Sequence, residues 1–216
     1  MTAGQPWVAV WFFDLAAQGP RLLEIGRARH LLEPGVIERS SRFASTAQAE
    51  RFLASRAALR LVLAEYGDGH QQFAVGPLGK PALGGALGFN LSRTDEAVII
   101  AVSNAEVGVD IERRRPVALT DLLIAEVSAI LPRIGWPAET DTQLRAWTVL
   151  EAWVKYHGLA MPRLLDEKAL ASRMIGEIVS RDVELTSLVL PPHICGTLCT
   201  VREPTIRYES SGRLTS

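Results

Sequence analysis

Two short segments hold side chains whose types and spacing suit catalysis. In Gly108-Val109-Asp110-Ile111-Glu112, two carboxylates stand two residues apart in a run with strand character. Side chains at i and i+2 of a strand leave the same face, so Asp110 and Glu112 can address one cation while Ile111 turns into a core. In Trp147-Thr148-Val149-Leu150-Glu151-Ala152-Trp153-Val154-Lys155, the spacing predicts a helix with Glu151 and Lys155 one turn apart on one face. Three carboxylates and a lysine, split between a strand end and a helix, suit a magnesium-bound phosphate. Each segment alone also fits a solvated strand end or a surface ion pair of small worth. The case rests on their joint occurrence with a third segment.

The elements that must position these groups can be read from periodicity and caps. Residues 7–13 form an apolar run that reads as a buried first strand. Residues 46–66 read as a long helix, with Ser45 and Gln48 offering a capping box and Gly67 ending it. On it, Phe52, Leu59, Leu63 and Tyr66 fall on one face. Residues 73–75, 97–103 and 107–112 read as strands, and the second of these is apolar enough to be buried on both faces. Thr120 is placed to cap a helix over 121–131 that Pro132 stops, and the helix bearing Glu151 spans about 141–157. Strand-like runs return at 183–190 and 194–201, and the polar residues from Glu209 read as a frayed end.

Composition narrows the class. The chain has 216 residues, 48% hydrophobic and 22% charged, enough for a full core in one domain or two small ones. With a net charge of −1 it carries no global field for nucleic acid. The run from Trp7 to Phe13 is too short to span a membrane and lacks a preceding basic residue, so no membrane partner or signal peptide is expected. Cys195 and Cys199, four apart with no matching Cys or His pair, read as reduced core residues of a cytoplasmic protein. His30, His70, His157 and His193 lack metal-ligand spacing.

The third segment is Gly79-Lys80-Pro81, followed by Phe89-Asn90-Leu91-Ser92-Arg93-Thr94. Read in order, GKPAL, FNLSRT, VGVDIE and WTVLEAWVK resemble the signature series of the 4′-phosphopantetheinyl transferases. The pattern is closest to the larger, pseudo-dimeric type that activates peptide and polyketide synthases, and it runs from about Ile37 to Gly158. The resemblance implies an α/β (α+β) fold of two similar halves related by a pseudo-twofold. Residues 1–105 would bind coenzyme A, and residues 106–216 would hold the metal and the chemistry. A faint internal echo between the helices at 49–67 and 142–158 agrees with it.

Such an enzyme moves the phosphopantetheine arm of coenzyme A onto a serine of an apo acyl or peptidyl carrier protein, with magnesium, releasing adenosine 3′,5′-bisphosphate. The resemblance assigns Asp110, Glu112 and Glu151 to the metal, Glu151 also to the general base, and Lys155 to the pyrophosphate. It assigns Lys80, Arg39, Ser92 and Arg93 to the 3′-phosphate of coenzyme A. Arg113-Arg114-Arg115 reads equally as a solvated loop or as a basic rim that steers an acidic carrier. A pseudo-dimer needs no second chain, so a monomer is expected.

The sequence departs from the pattern twice. Arg93 stands where the family has His, and a guanidinium can make the same phosphate contact. Leu150 stands where the family has Lys, at a position expected beside Glu151 on the cleft edge. The departures feed an alternative: a weakened homologue that binds coenzyme A or a carrier without transfer.

Overall fold

The computed structural model describes residues 4–67, 73–75, 81–83, 85, 87–117, 122–136, 141–159 and 167–215. Lys80 and the expected cap Thr120 lie outside them. The first strand, β1 (Trp7–Asp14), is buried on both faces and feeds helix α1 (Leu15–Ala28). Asp14 caps that helix, its Oδ1 accepting from the N–H of Ala16 at 2.8 Å and of Ala17 at 3.1 Å. Helices α2 (Pro34–Ser40) and α3 (Thr46–Ala64) follow. Ser45 caps α3 through the Gln48 N–H, and Gly67 supplies a left-handed φ of 85° beyond its end. From Phe52 to Leu63, α3 is buried nearly all round, with only Arg56 partly exposed, where one apolar stripe had been expected.

Strands β2 (Ala74–Val75) and β3 (Pro81–Ala82) form a ribbon. Strands β4 (Gly88–Arg93), β5 (Ala97–Ser103) and β6 (Val107–Arg113) come next. Helix α4 (Leu122–Ile130) runs into a 3₁₀ turn at Leu131–Ile134 that contains Pro132. Then come α5 (Thr142–Tyr156), α6 (Glu167–Ser180), β7 (Glu184–Ser187), β8 (Ile194–Thr200), β9 (Thr205–Glu209) and α7 (Gly212–Thr215).

The larger sheet has the order β4-β5-β1-β9, and a second has the order β6-β8-β7. Strand alternation gives each a division of faces. Ala9, Trp11, Phe13, Val98, Ile100 and Val102 of the first sheet join the core under α1 and α3. Val8, Val10, Ala97, Ile99 and Ala101 join Val107, Val109, Ile111 and Leu198 in a core shared with the second sheet. The far side of the second sheet packs on α5, with α4 and α6 closing that core. The result is a mixed α/β protein, compatible with the expected α+β class.

The C-terminal segment corrects the sequence reading. Strand β9 pairs parallel with β1, matching Trp7 to Thr205 through Trp11 to Glu209. The residues after Glu209 do not fray: Gln18 of α1 donates to Ser211 Oγ at 3.1 Å and Thr215 Oγ1 at 3.4 Å, and the Arg213 guanidinium sits 4.6 Å from the Trp11 ring. Among the described residues no helix is long and apolar enough to cross a membrane.

Candidate active site

The site forms where β6 meets α5. Gly108, Asp110 and Glu112 alternate toward the helix, while Val107, Val109 and Ile111 fill the core between the sheets. Gly108 permits the approach. A Cβ there would run into the carbonyl oxygen of Ala152 and the N–H of Tyr156, and stand 2.9 Å from Tyr156 Cα. Strand and helix backbones therefore touch. Glu151 and Lys155, one turn apart on α5, arrive over Asp110.

Lys155 Nζ donates to Asp110 Oδ1 at 2.6 Å and lies 3.8 Å from Glu151 Oε2. Ser92 Oγ donates to the same Asp110 oxygen at 2.7 Å. The structure thus brings together Asp110, Glu151, Lys155 and Ser92, from three elements. Asp110 is 4% exposed, and its second oxygen, Oδ2, is buried with no hydrogen-bond partner among the described residues. Burial pushes its carboxyl up to about 6 against the pull of Lys155 and Ser92. Burial likewise raises Glu151, opposed by Lys155 and reinforced by the charge of Glu112.

Among the described residues no group of three His, Cys, Asp or Glu side chains is gathered as a metal cage. All three expected ligands face the protein's own cations: Asp110 and Glu151 face Lys155, and Glu112 faces Arg115 Nη1 at 2.9 Å. The donor chemistry nevertheless fits a hard divalent cation. All three groups are carboxylates, the charge of Glu112 raises Glu151, that of Glu151 raises Asp110, and Asp110 Oδ2 is a buried acceptor with no donor among the described residues.

A second cluster lies on the opposite face of β4. Arg93, next to Ser92, places its guanidinium 5.7 Å from the Phe43 ring and 5.6 Å from the Phe52 ring. Arg39 of α2 and Arg56 of α3 stand 5.6 Å and 5.1 Å from the same Phe52 ring. Among the described residues these three arginines make no ion pair. Burial, then the charges of Arg39 and Arg93, hold Arg56 down to about 10. Three guanidiniums thus stand around one phenyl ring, a charge arrangement that suits an anion. The sequence points to Arg39 and Arg93 for the phosphate, and reads Arg51, Arg56 and Arg60 as surface or half-buried ion-pair residues with Arg56 the one to watch. Its position four residues after Phe52 on a helix was the available signal. Arg93, Glu112, Arg113 and Arg115 line a polar cleft of about 390 Å³.

Leu150 corrects an expectation. It is 1% exposed and lies in the core that α4, α5 and α6 share, not on the cleft edge. Each arginine of the run faces a carboxylate: Arg113 faces Glu96 at 3.5 Å, Arg114 pairs with Asp141, and Arg115 with Glu112. His157 sits at the C-cap of α5 and bonds Glu177 at 2.7 Å, outside the site.

A mixed α/β protein with a carboxylate–lysine junction beside an arginine cluster belongs among candidates for phosphate chemistry. No family model matches the chain. Over 89 residues it is 33% identical to 4′-phosphopantetheinyl transferase gsp of Aneurinibacillus migulanus, a match taking in 38% of this chain and 36% of that protein. The match thus spans little more than a third of that relative, and it supports a relationship to the phosphopantetheinyl transferases at the level of the superfamily.

Proposed function

We propose that this protein is a magnesium-dependent 4′-phosphopantetheinyl transferase acting on coenzyme A and an apo acyl or peptidyl carrier protein. In this reading it has the pseudo-twofold arrangement of the larger type, a coenzyme A-binding half over 1–105 and a catalytic half over 106–216. It works as a monomer in the cytoplasm. The observation that carries the reading is the junction of Asp110, Glu151 and Lys155, with one carboxylate oxygen buried and unpartnered among the described residues.

Asp110, Glu112 and Glu151 would hold the magnesium, which neutralises charge on the pyrophosphate when bound. Arg39, Arg56, Arg93 and Lys80 hold the 3′-phosphate, where guanidiniums can make paired contacts. The carrier serine oxygen attacks the phosphorus that bears pantetheine. Its proton passes to Glu151, which burial makes more basic than a free carboxylate. The bond from that phosphorus to the bridging oxygen breaks, and Lys155 stabilises the charge gained by the departing adenosine 3′,5′-bisphosphate.

The test is mass spectrometry of several apo-carriers incubated with the protein, coenzyme A and magnesium. A phosphopantetheine mass gain that chelator abolishes supports the reading. Its absence on every carrier, with coenzyme A still raising the melting temperature, supports the binding-only alternative, which draws on the missing lysine at Leu150.

A further inference from the structure

We propose that Asn90 and Ser92 are positioning residues that clasp β6 to β4 and fix the carboxylate of Asp110, Ser92 acting through Asp110 and not on a substrate phosphate. The proposal rests on Asp110 serving the transfer proposed above.

Strands β4 and β6 belong to different sheets and share no backbone ladder. Asn90 and Ser92 leave the same face of β4, two residues apart. On β6, the N–H groups of Val109 and Ile111 leave the same edge, also two residues apart. The two pitches match. Asn90 Oδ1 accepts from Val109 N–H at 3.1 Å, and Ser92 Oγ accepts from Ile111 N–H at 3.3 Å. Two amides that would otherwise be buried without partners are satisfied by side chains of the neighbouring sheet.

A serine hydroxyl has one proton to give. Ser92 gives it to Asp110 Oδ1 at 2.7 Å, while Lys155 Nζ reaches the same Oγ at 3.4 Å. Ser92 is 6% exposed, so its donor is committed inside the protein. Alternation turns Arg93 to the other face, among Phe43, Phe52 and the remaining arginines. Neighbouring residues therefore serve opposite sides of β4: Arg93 the arginine cluster, Ser92 the carboxylate. With Oδ1 held by Ser92 and Lys155, Oδ2 is the oxygen that Asp110 has left to offer.

The test uses the full chain with Asn90→Ala, Ser92→Ala and Ser92→Thr, read by amide hydrogen exchange over residues 107–113 and by transfer kinetics. Exchange should quicken at Val109 in Asn90→Ala and at Ile111 in Ser92→Ala. Both variants should lose kcat by roughly tenfold or more, as removal of groups that orient ligands does. The KM for coenzyme A, and the preference over 3′-dephospho-coenzyme A, should stay as in the parent. Ser92→Thr, which keeps the hydroxyl, should recover kcat. A Ser92→Ala loss confined to KM, and absent with 3′-dephospho-coenzyme A, would overturn the proposal, as would unchanged exchange on β6. Should Ser92→Ala not fold, Ser92→Cys, a weaker donor, reads the same kinetics. If the parent transfers nothing to any carrier, the activity reading fails, and Asp110 has no transfer to be positioned for.

Discussion

Lys155 Nζ lies 2.6 Å from Asp110 Oδ1, joining the last turn of α5 to the middle of β6. The contact depends on three independent features of the chain. Helical spacing sets Lys155 on the Glu151 face. The missing Cβ at Gly108 lets the helix reach the strand. The hydroxyl of Ser92, 3.4 Å from Lys155 Nζ, donates to the shared oxygen beside it. A buried ion pair of this kind is sensitive to its partners, because removing either leaves the other charge stranded.

Asp110→Ala and Glu151→Ala should each lower transfer by roughly 10²-fold or more, by analogy with the loss of other electrostatic stabilisers, while far-UV circular dichroism stays that of the parent. Near-parental rates in either variant at saturating magnesium would remove these residues from their assigned roles.

Gly108→Ala should displace α5 from β6. Backbone atoms stand where the new methyl would go, so the cost should reach at least the roughly 1–3 kcal/mol of ordinary overpacking. Melting temperature and initial rate are measured together, and both should fall. A variant matching the parent in both would show that the close approach is not needed.

Arg56→Ala and Arg93→Ala should weaken coenzyme A while changing 3′-dephospho-coenzyme A little, since the three guanidiniums around Phe52 make no ion pair among the described residues. Isothermal titration with both ligands measures this. Equal losses for the two ligands would separate the cluster from the 3′-phosphate.

Leu150→Lys reverses the expectation drawn from the motif. The position lies inside the core shared by α4, α5 and α6, so an ammonium there would cost several kcal/mol unless it lost its proton or found a partner. The variant should melt well below the parent and transfer no faster. A stable variant with a raised rate would return this position to the cleft.

Glu177 of α6 joins α5 by accepting from Trp153 Nε1 at 2.8 Å, and it also meets His157 and Arg173. Burial pushes its carboxyl up, but the hydrogen bonds from Arg173, Trp153 and His157 outweigh that and hold it below the ordinary 4.5. A depressed carboxyl contributes stability present above the unfolded pKa and lost as pH falls through the folded value. The melting-temperature gap between parent and Glu177→Gln should therefore be open at pH 7 and close below about pH 4.5. A gap that widens in acid would contradict the linkage.

The sequence by itself determined the local geometry of the site. Period-two alternation in 107–112 put Asp110 and Glu112 on one face and Ile111 in a core, and the i, i+4 spacing aligned Glu151 with Lys155. Ser45 and Gly67 marked the ends of α3 because caps answer local backbone demands. Only the tertiary structure decided which elements those faces meet. The parallel pairing of β9 with β1 joins residues almost the whole chain apart, and no local pattern encodes a partner at that distance. The same holds for the Ser92 hydroxyl on Asp110 and for Arg56 beside Arg39 and Arg93. Leu150 shows the physical reason most directly. Periodicity marks an apolar position, but whether it is cleft edge or core depends on α4 and α6 covering that side of the helix, which is a property of packing between elements.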